Sequence, residues 1–370
     1  MKYLLSGIAI VTFFAIAGFG QSGRRIASTP TPTPAPRPVE DQFSDSKVLP
    51  QRMRITKPKF KDSEKNTTVT SNKEADPDAD TDDDTIRVET NLVTIPVSVL
   101  DRNGLYVPTL SKESFRIFEN GKEQQIEFFA DAEVPISVIL LLDMSYSSER
   151  KVDLIKQAAI AFVDRLNAQD RVCVIQFTGS YRTLAEMTTN REEIYRGIRK
   201  ADIGSGTSIY DTVELSVRKL IPPIEGRKAI VLFTDGVDTT SRRSNYDRSI
   251  DYAEESEAPV FPIYFNTFMD QQNMRIGVQP NTRGEYALGR KYLKELADYT
   301  GGTVYDSAST PGGLVGAFEA IADELRKQYV IGYIPQEKGT PGERRSIKVR
   351  INRPNLVIRA RDSYIVGKTK

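Results

Sequence analysis

Ile136-Ser137-Val138-Ile139-Leu140-Leu141-Leu142-Asp143-Met144-Ser145-Tyr146-Ser147 is the stretch from which the fold follows. Residues 136–142 are almost continuously apolar, the composition of a strand covered on both faces. The run ends on an acid and two alternating hydroxyls, Asp143, Ser145 and Ser147. Val152, Ile155, Ala159, Phe162 and Leu166 then step by three and four, which predicts an amphipathic helix. The alternation continues outward from there. Residues 171–177, 229–233 and 259–265 read as buried strands and 304–306 as a short one, while 209–220, 290–299 and the run through Leu314, Phe318, Ile321 and Leu325 read as helices. Strands alternating with helices predict an α/β fold with a doubly wound, mostly parallel sheet. Ligands in such sheets bind outside the carboxyl ends of the strands.

Three loops fall at those ends. They carry Asp143-Met144-Ser145-Tyr146-Ser147, then Gly204-Ser205-Gly206-Thr207-Ser208-Ile209-Tyr210-Asp211, then Thr234-Asp235-Gly236. In an extended loop Asp143, Ser145 and Ser147 project to one side. Taken singly, Asp143 reads as a helix cap and Asp235-Gly236 as a turn. Taken jointly, D-x-S-x-S, a glycine-flanked threonine and T-D-G in this order resemble the metal-ion-dependent adhesion site of von Willebrand factor A (VWA) domains, over about residues 134–328. The resemblance implies a VWA/Rossmann-like fold. It also implies that Ser145, Ser147 and Thr207 are direct hydroxyl ligands and that Asp143 and Asp235 reach the metal through water. Neutral hydroxyls and water-bridged acids suit Mg2+, or Mn2+ in its place. The implied partner is a protein presenting an Asp or Glu as the last ligand. Asp211 is expected as a supporting or solvated helix residue and Asp238 as a loop acid. Tyr146 and Tyr210 are expected to form an amphipathic rim for protein contacts.

Composition excludes much else. The 370 residues contain no histidine and one cysteine, which removes serine–histidine triads, histidine-ligated metals, cysteine-rich zinc sites and intrachain disulfides. Lone Cys173, inside an apolar run, reads as a small buried hydrophobe. With 51 basic and 50 acidic residues the net charge is +1, so no global field draws the chain to nucleic acid or an anionic membrane. Ser148-Glu149-Arg150-Lys151 fits S-x-x-K, but S-D-N and K-T-G do not occur, and a helix N-cap accounts for Ser148. Phosphoryl transfer from Asp143 would need a second acid where Ser145 stands. The expectation is a binding protein and not an enzyme.

Residues 1–20 have Lys2, an apolar run from Leu4 to Phe19, and Gly18 and Gly20 at the positions of a cleavage site, the pattern of a signal peptide. Export to the periplasm, cell envelope or medium is therefore expected, with no membrane insertion beyond that segment. An uncleaved N-terminal anchor is the alternative. Residues 21–85 read as a linker, rich in proline and threonine and then acidic. Asp78 to Glu89 has faint EF-hand spacing, but Asp83 occupies the position that needs glycine.

Residues 86–133 form a β unit, with Val93, Ile95, Val97 and Val99 alternating and a hairpin at Asn120-Gly121. Too short for a core of its own, it is expected to pair with strands in 329–370, where Ile347, Val349 and Ile351 alternate with Lys348 and Arg350. The basic residues Arg344, Arg345, Lys348, Arg350, Arg353, Arg359 and Arg361 read as the wet face of a sheet before they read as a polyanion site. These flanks resemble the VWFA-related proteins of Acidobacteria, which sharpens the architecture more than the function. The polar stretch 266–285 is left open as lid or loop. A structural or sensory envelope module, in which the metal is not the contact, stands as the alternative function.

Overall fold

The structure, a computed structural model, describes residues 42–49, 92–130, 134–267 and 281–366. The apolar leader 1–20, most of the 21–85 linker with its acidic run, and 268–280 of the polar stretch lie outside the described residues. So do 86–91 and 131–133 of the β unit and the last four residues.

Strands from both flanks interleave into one lobe. β1 (Ser44–Asp45), β2 (Val93–Leu100), β3 (Phe115–Glu119), β4 (Lys122–Gln124) and β5 (Ile126–Ala130) precede the central domain. β12 (Tyr329–Tyr333), β13 (Arg344–Ile351), β14 (Val357–Arg359) and β15 (Ser363–Ile365) follow it. One antiparallel sheet runs β1–β13–β3–β4, with β15 also on β13, and the other runs β14–β2–β12–β5. Ile331 sits opposite Ile95 and Val349 opposite Ile117, and the two sheets share one apolar core.

Ser44 and Asp45, read from the sequence as linker, are a strand. Asp45 binds Lys348 and Arg350, each at 2.6 Å, and the Arg350 hydrogen bond foremost holds its carboxyl down to about 2. Two residues are too few to show a period. The basic row is a wet face only in part: Lys348 and Arg350 lie on the more exposed side of β13 and Arg353 is exposed, while Arg345 and Arg361 are buried. Arg344 pairs with Glu254 at 2.7 Å, Arg345 with Glu119 at 2.5 Å and Arg359 with Glu324 at 3.2 Å. Arg361 is buried and donates to the Thr94 carbonyl at 3.0 Å.

The central sheet contains β6 (Ile136–Asp143), β7 (Arg171–Phe177), β8 (Tyr181–Thr188), β9 (Arg227–Thr234), β10 (Val260–Tyr264) and β11 (Tyr305–Asp306). Its order is β11–β10–β9–β6–β7–β8, parallel except for β8. Alternate residues of each strand feed opposite cores. Leu140, Val174 and Val231 meet α1 (Val152–Arg165), α2 (Arg191–Arg199) and α6 (Gly313–Arg326). Ile139, Ile175 and Ile230 meet α3 (Ile209–Leu215), α4 (Tyr246–Glu255) and α5 (Arg283–Thr300).

The elements that the sequence pattern did not single out are the thinly apolar ones. On β8 only Ala185 is buried, and α4 buries only Ile250 and Ala253 among apolar side chains. The helix expected over 209–220 changes after Leu215 into a π-helical turn, Ser216–Leu220. The helix expected from 290 begins at Arg283, behind a capping box formed by Thr282 and Glu285, so the end of the 266–285 stretch is helix. No helix among the described residues is long and apolar enough to cross a membrane.

Candidate metal centre

β6 and β9 are neighbours in the sheet and end on Asp143 and next to Asp235, so parallel register alone brings the two acids to one edge. Both are buried, at 1% and 4% exposure. Asp143 Oδ1 accepts from the Ser145 N–H at 3.1 Å, and its Oδ2 accepts from the Thr234 hydroxyl at 2.6 Å. Asp235 Oδ1 accepts from the Val237 N–H at 3.1 Å, and its Oδ2 accepts from the Thr267 hydroxyl at 2.6 Å. Burial first, and then the charge of Asp235, push Asp143 up to about 7. Burial also raises Asp235, against the hydrogen bonds from Thr267, Val237 and Ser147 that oppose the rise. Neither acid has a lysine or arginine among its leading influences.

The hydroxyls converge on this pair. Ser145 is extended, but Tyr146–Lys151 is a 3-10 turn, so the expected alternation along an extended loop stops at Ser145. The turn nevertheless carries the Ser147 hydroxyl to 2.9 Å from that of Ser145 and into hydrogen-bond contact with Asp235. The glycine loop is laced to the same edge, with the Gly204 N–H on the Met144 carbonyl at 2.9 Å and the Met144 N–H on the Phe177 carbonyl at 2.9 Å. Gly206, at φ +75°, turns the chain where a Cβ would lie 2.6 Å from Thr240. Buried Thr207 then donates its N–H to the Thr239 hydroxyl at 2.8 Å and accepts from the Thr239 N–H at 2.9 Å. Its own hydroxyl is not used in these bonds.

Of the other residues singled out in the sequence, Asp211, Asp238 and Cys173 take the expected kinds of place, while the Tyr146–Tyr210 rim and the Ser148 cap are corrected. Asp211 accepts from the N–H groups of Arg242, Arg243 and Ser244 at 3.0, 2.9 and 2.6 Å, so it anchors the loop after Asp238. Asp238 accepts from the Tyr210 N–H at 3.2 Å and caps the first turn of α3. Tyr146 is exposed, but Tyr210 packs inward against Tyr292 with ring centroids 4.9 Å apart, so the two do not form a rim. Ser148 lies inside the 3-10 turn and does not cap α1, whose N-cap is Lys151. Lys151 in turn holds its ammonium 4.1 Å from the centre of the Phe265 ring. Cys173 is buried, its thiol pushed up to about 12 by desolvation.

Two supporting residues went unread. Thr234 was visible in T-D-G, but its bond across the sheet to Asp143 was not. Thr267 lies 32 residues beyond Asp235 in no motif, and only its place after β10 marks it.

The donor set is all oxygen, and no lysine or arginine is among the leading influences on either acid. Among the described residues no group of three or more His, Cys, Asp or Glu side chains could hold a metal, so an ion at this edge would rely on hydroxyls. A hard dication fits such donors and offsets both carboxylates.

Residues 137–290 match the family model of the von Willebrand factor type A domain. This segment is a VWA domain. The chain is 25% identical over 219 residues to a UPF0353 protein of Nocardia farcinica, covering 53% of this chain and 63% of the relative. It is 30% identical over 110 residues to an uncharacterized protein of Synechocystis, covering 29% of this chain and 26% of that one. The chain thus spans less than two thirds of the length of either curated relative. Among solved structures, the vWF domain of the type V pilus tip protein Mfa5 of Porphyromonas gingivalis is 14% identical, covering 56% of this chain and 98% of that one, with a TM-score of 0.42.

Proposed function

We propose that the VWA domain binds Mg2+, or Mn2+ in its place, at Asp143, Ser145, Ser147, Thr207 and Asp235, and uses the site to hold a protein partner. The observation that carries the reading is the buried pair Asp143 and Asp235, both raised by burial and converging with the Ser145 and Ser147 hydroxyls. Ser145, Ser147 and Thr207 supply hydroxyl oxygens, while Asp143 and Asp235 orient water and offset charge. Thr234 and Thr267 fix the carboxylates and leave lone pairs free for that water. When bound, the ion supplies an electrophilic position that takes a carboxylate, which makes a partner Asp or Glu the natural last ligand. The apolar leader 1–20 supports an exported protein, with its partner in the envelope or outside the cell. A chain without histidine, and with its one thiol buried, supports a binding module over an enzyme.

Titration calorimetry of the full chain with magnesium tests the site. Wild type should bind one equivalent, and Asp143→Ala should bind none. Thr207→Ala should retain the fold, because the bonds of Thr207 to Thr239 run through its backbone. It should weaken capture of envelope proteins in magnesium, and wild type should lose capture in EDTA. Capture of the same partners by both proteins, with magnesium and with chelator, would instead favour a structural or sensory module whose metal is not the contact.

A further inference from the structure

Segment 42–49 sits on the edge of β13 in the manner of a bound peptide. Ser44 and Asp45 lie antiparallel to Ile351 and Arg350. The Ser44 hydroxyl donates to the Arg353 carbonyl at 2.7 Å and accepts from the Leu356 N–H at 2.9 Å. Ser46 donates its N–H to the Val349 carbonyl at 2.8 Å, and its hydroxyl accepts from the Val349 N–H at 2.9 Å. Between the two serines, Asp45 takes Arg350 in two bonds, at 2.6 and 2.9 Å, and Lys348 at 2.6 Å. The Arg350 guanidinium stands 5.3 Å from the centre of the Phe43 ring and 5.4 Å from that of Phe118.

The lobe closes without this segment. β13 is paired with β3 along Ile347–Ile351 and with β15 along Arg344–Ser346, and no residue of 42–49 belongs to the apolar core of the lobe. What the segment supplies is hydrogen-bond partners. Without it the Val349 N–H and carbonyl, the Arg353 carbonyl and the Leu356 N–H lose these bonds, on a sheet edge that then templates another strand. The segment is also remote along the chain. The 42 residues 50–91 separate Leu49 from Leu92. They can span at most about 140 Å, against roughly 50 Å for the diameter of a globular body of this size, so length permits donation to a neighbouring lobe as well as to its own.

We propose that segment 43–49 is an exchangeable strand and that the edge of β13 is a docking site for the same segment of a second copy of this chain. The hydrogen bonds and ion pairs are the same whichever copy donates the strand, so local concentration decides between the two. A chain's own segment is present at an effective concentration on the order of millimolar, which keeps the dilute protein monomeric and makes reciprocal exchange a property of crowded copies. The proposal is independent of the metal centre.

Charge reversal in the full chain tests it, because Asp45, Lys348 and Arg350 are each about one-third exposed and tolerate the change. One variant carries Asp45→Arg, and the other carries Lys348→Glu with Arg350→Glu. In each, the segment repels its own edge, whereas in an equimolar mixture each segment matches the edge of the other variant. Light scattering after size exclusion should give the mass of one chain for either variant alone and twice that mass for the mixture. A mixture that stays at the mass of one chain would overturn the proposal. A dimer of either variant alone would overturn it too, since association then runs through another surface. A fluorescein-labelled peptide of residues 42–49 gives a second readout by anisotropy. It should bind Asp45→Arg at least tenfold more tightly than wild type, whose own segment fills the edge, and at least tenfold more tightly than the Lys348→Glu, Arg350→Glu variant. Equal binding to all three, or binding to none, would mean that the segment is a fixed part of its own lobe.

Discussion

Asp143 and Asp235 set the chemistry at the scale of single residues. Each carboxylate oxygen has a protein donor, yet both acids are raised, because neighbouring dipoles do not replace the water lost on burial and the two charges oppose each other. A carboxyl whose folded pKa exceeds its unfolded value costs stability when ionised. Here the cost is absent below the ordinary 3.8, grows as the pH rises, and is fully present above about 7. Without metal, Asp143→Asn should therefore be more stable than wild type at pH 8, by on the order of 2–4 kcal/mol, and gain little at pH 4. With saturating magnesium only wild type should gain, by mass action. Thermal unfolding at both pH values, with chelator and with magnesium, checks this. An Asn variant less stable than wild type in chelator at pH 8 would show that the pair is not strained. At this scale the sequence was informative where oxygen-bearing residues stand at strand ends, as in Asp143-Met144-Ser145. It was silent on Thr267, whose role depends on where β10 happens to end.

Packing between elements holds the T-D-G loop in place. Gly236, at φ +81°, lies against Gly289 on α5 so closely that a Cβ on Gly289 would sit 2.6 Å from the Gly236 carbonyl. Two opposed effects then separate cleanly for Gly289→Ala. In an open helix the change gains roughly 1 kcal/mol of propensity. Against backbone it must push α5 away from the loop, at a cost of about 1–3 kcal/mol. The contact should win, so the melting temperature should fall and magnesium should bind more weakly as the loop bearing Asp235 shifts. A rise in melting temperature with unchanged magnesium binding would mean that the helix is not pressed on the loop. Buried strands such as 136–142 were plain in the sequence because both faces are apolar. Helix α5 was seen only in its apolar half, since Arg283 to Leu288 buries Tyr286 alone, although Thr282 and Glu285 marked its start. The contact between two glycines leaves no local trace.

At the scale of the whole molecule the central domain and the lobe are tied by buried charge. Alternation in 93–99 and 347–351 was enough to expect that distant strands pair, but not which residues of the central domain they grip. Glu254 on α4, with its side chain 1% exposed, binds Arg344 of β13 at 2.7 Å and accepts from the Ser363 hydroxyl of β15 at 2.8 Å. Asp362, beside Ser363, accepts from the Leu49 N–H at 2.8 Å, which brings the segment that carries β1 into the same junction. Gly301, at the end of α5, stands where a Cβ would be 2.5 Å from the Arg361 backbone nitrogen, so the domain and the lobe meet without slack. The lobe takes β2 and β12 from opposite ends of the chain, so opening either part exposes strands of the other. The full chain should therefore unfold in one calorimetric transition. Glu254→Ala strands the arginine against an apolar gap and should lower stability by about 3–5 kcal/mol, the usual effect of removing one member of a buried pair. Hydrogen exchange should then quicken together in β13, β15 and α4, because the junction opens as a unit. Two separated transitions in wild type, or faster exchange confined to α4, would mean that lobe and domain fold independently and that this ion pair decorates their border without joining them.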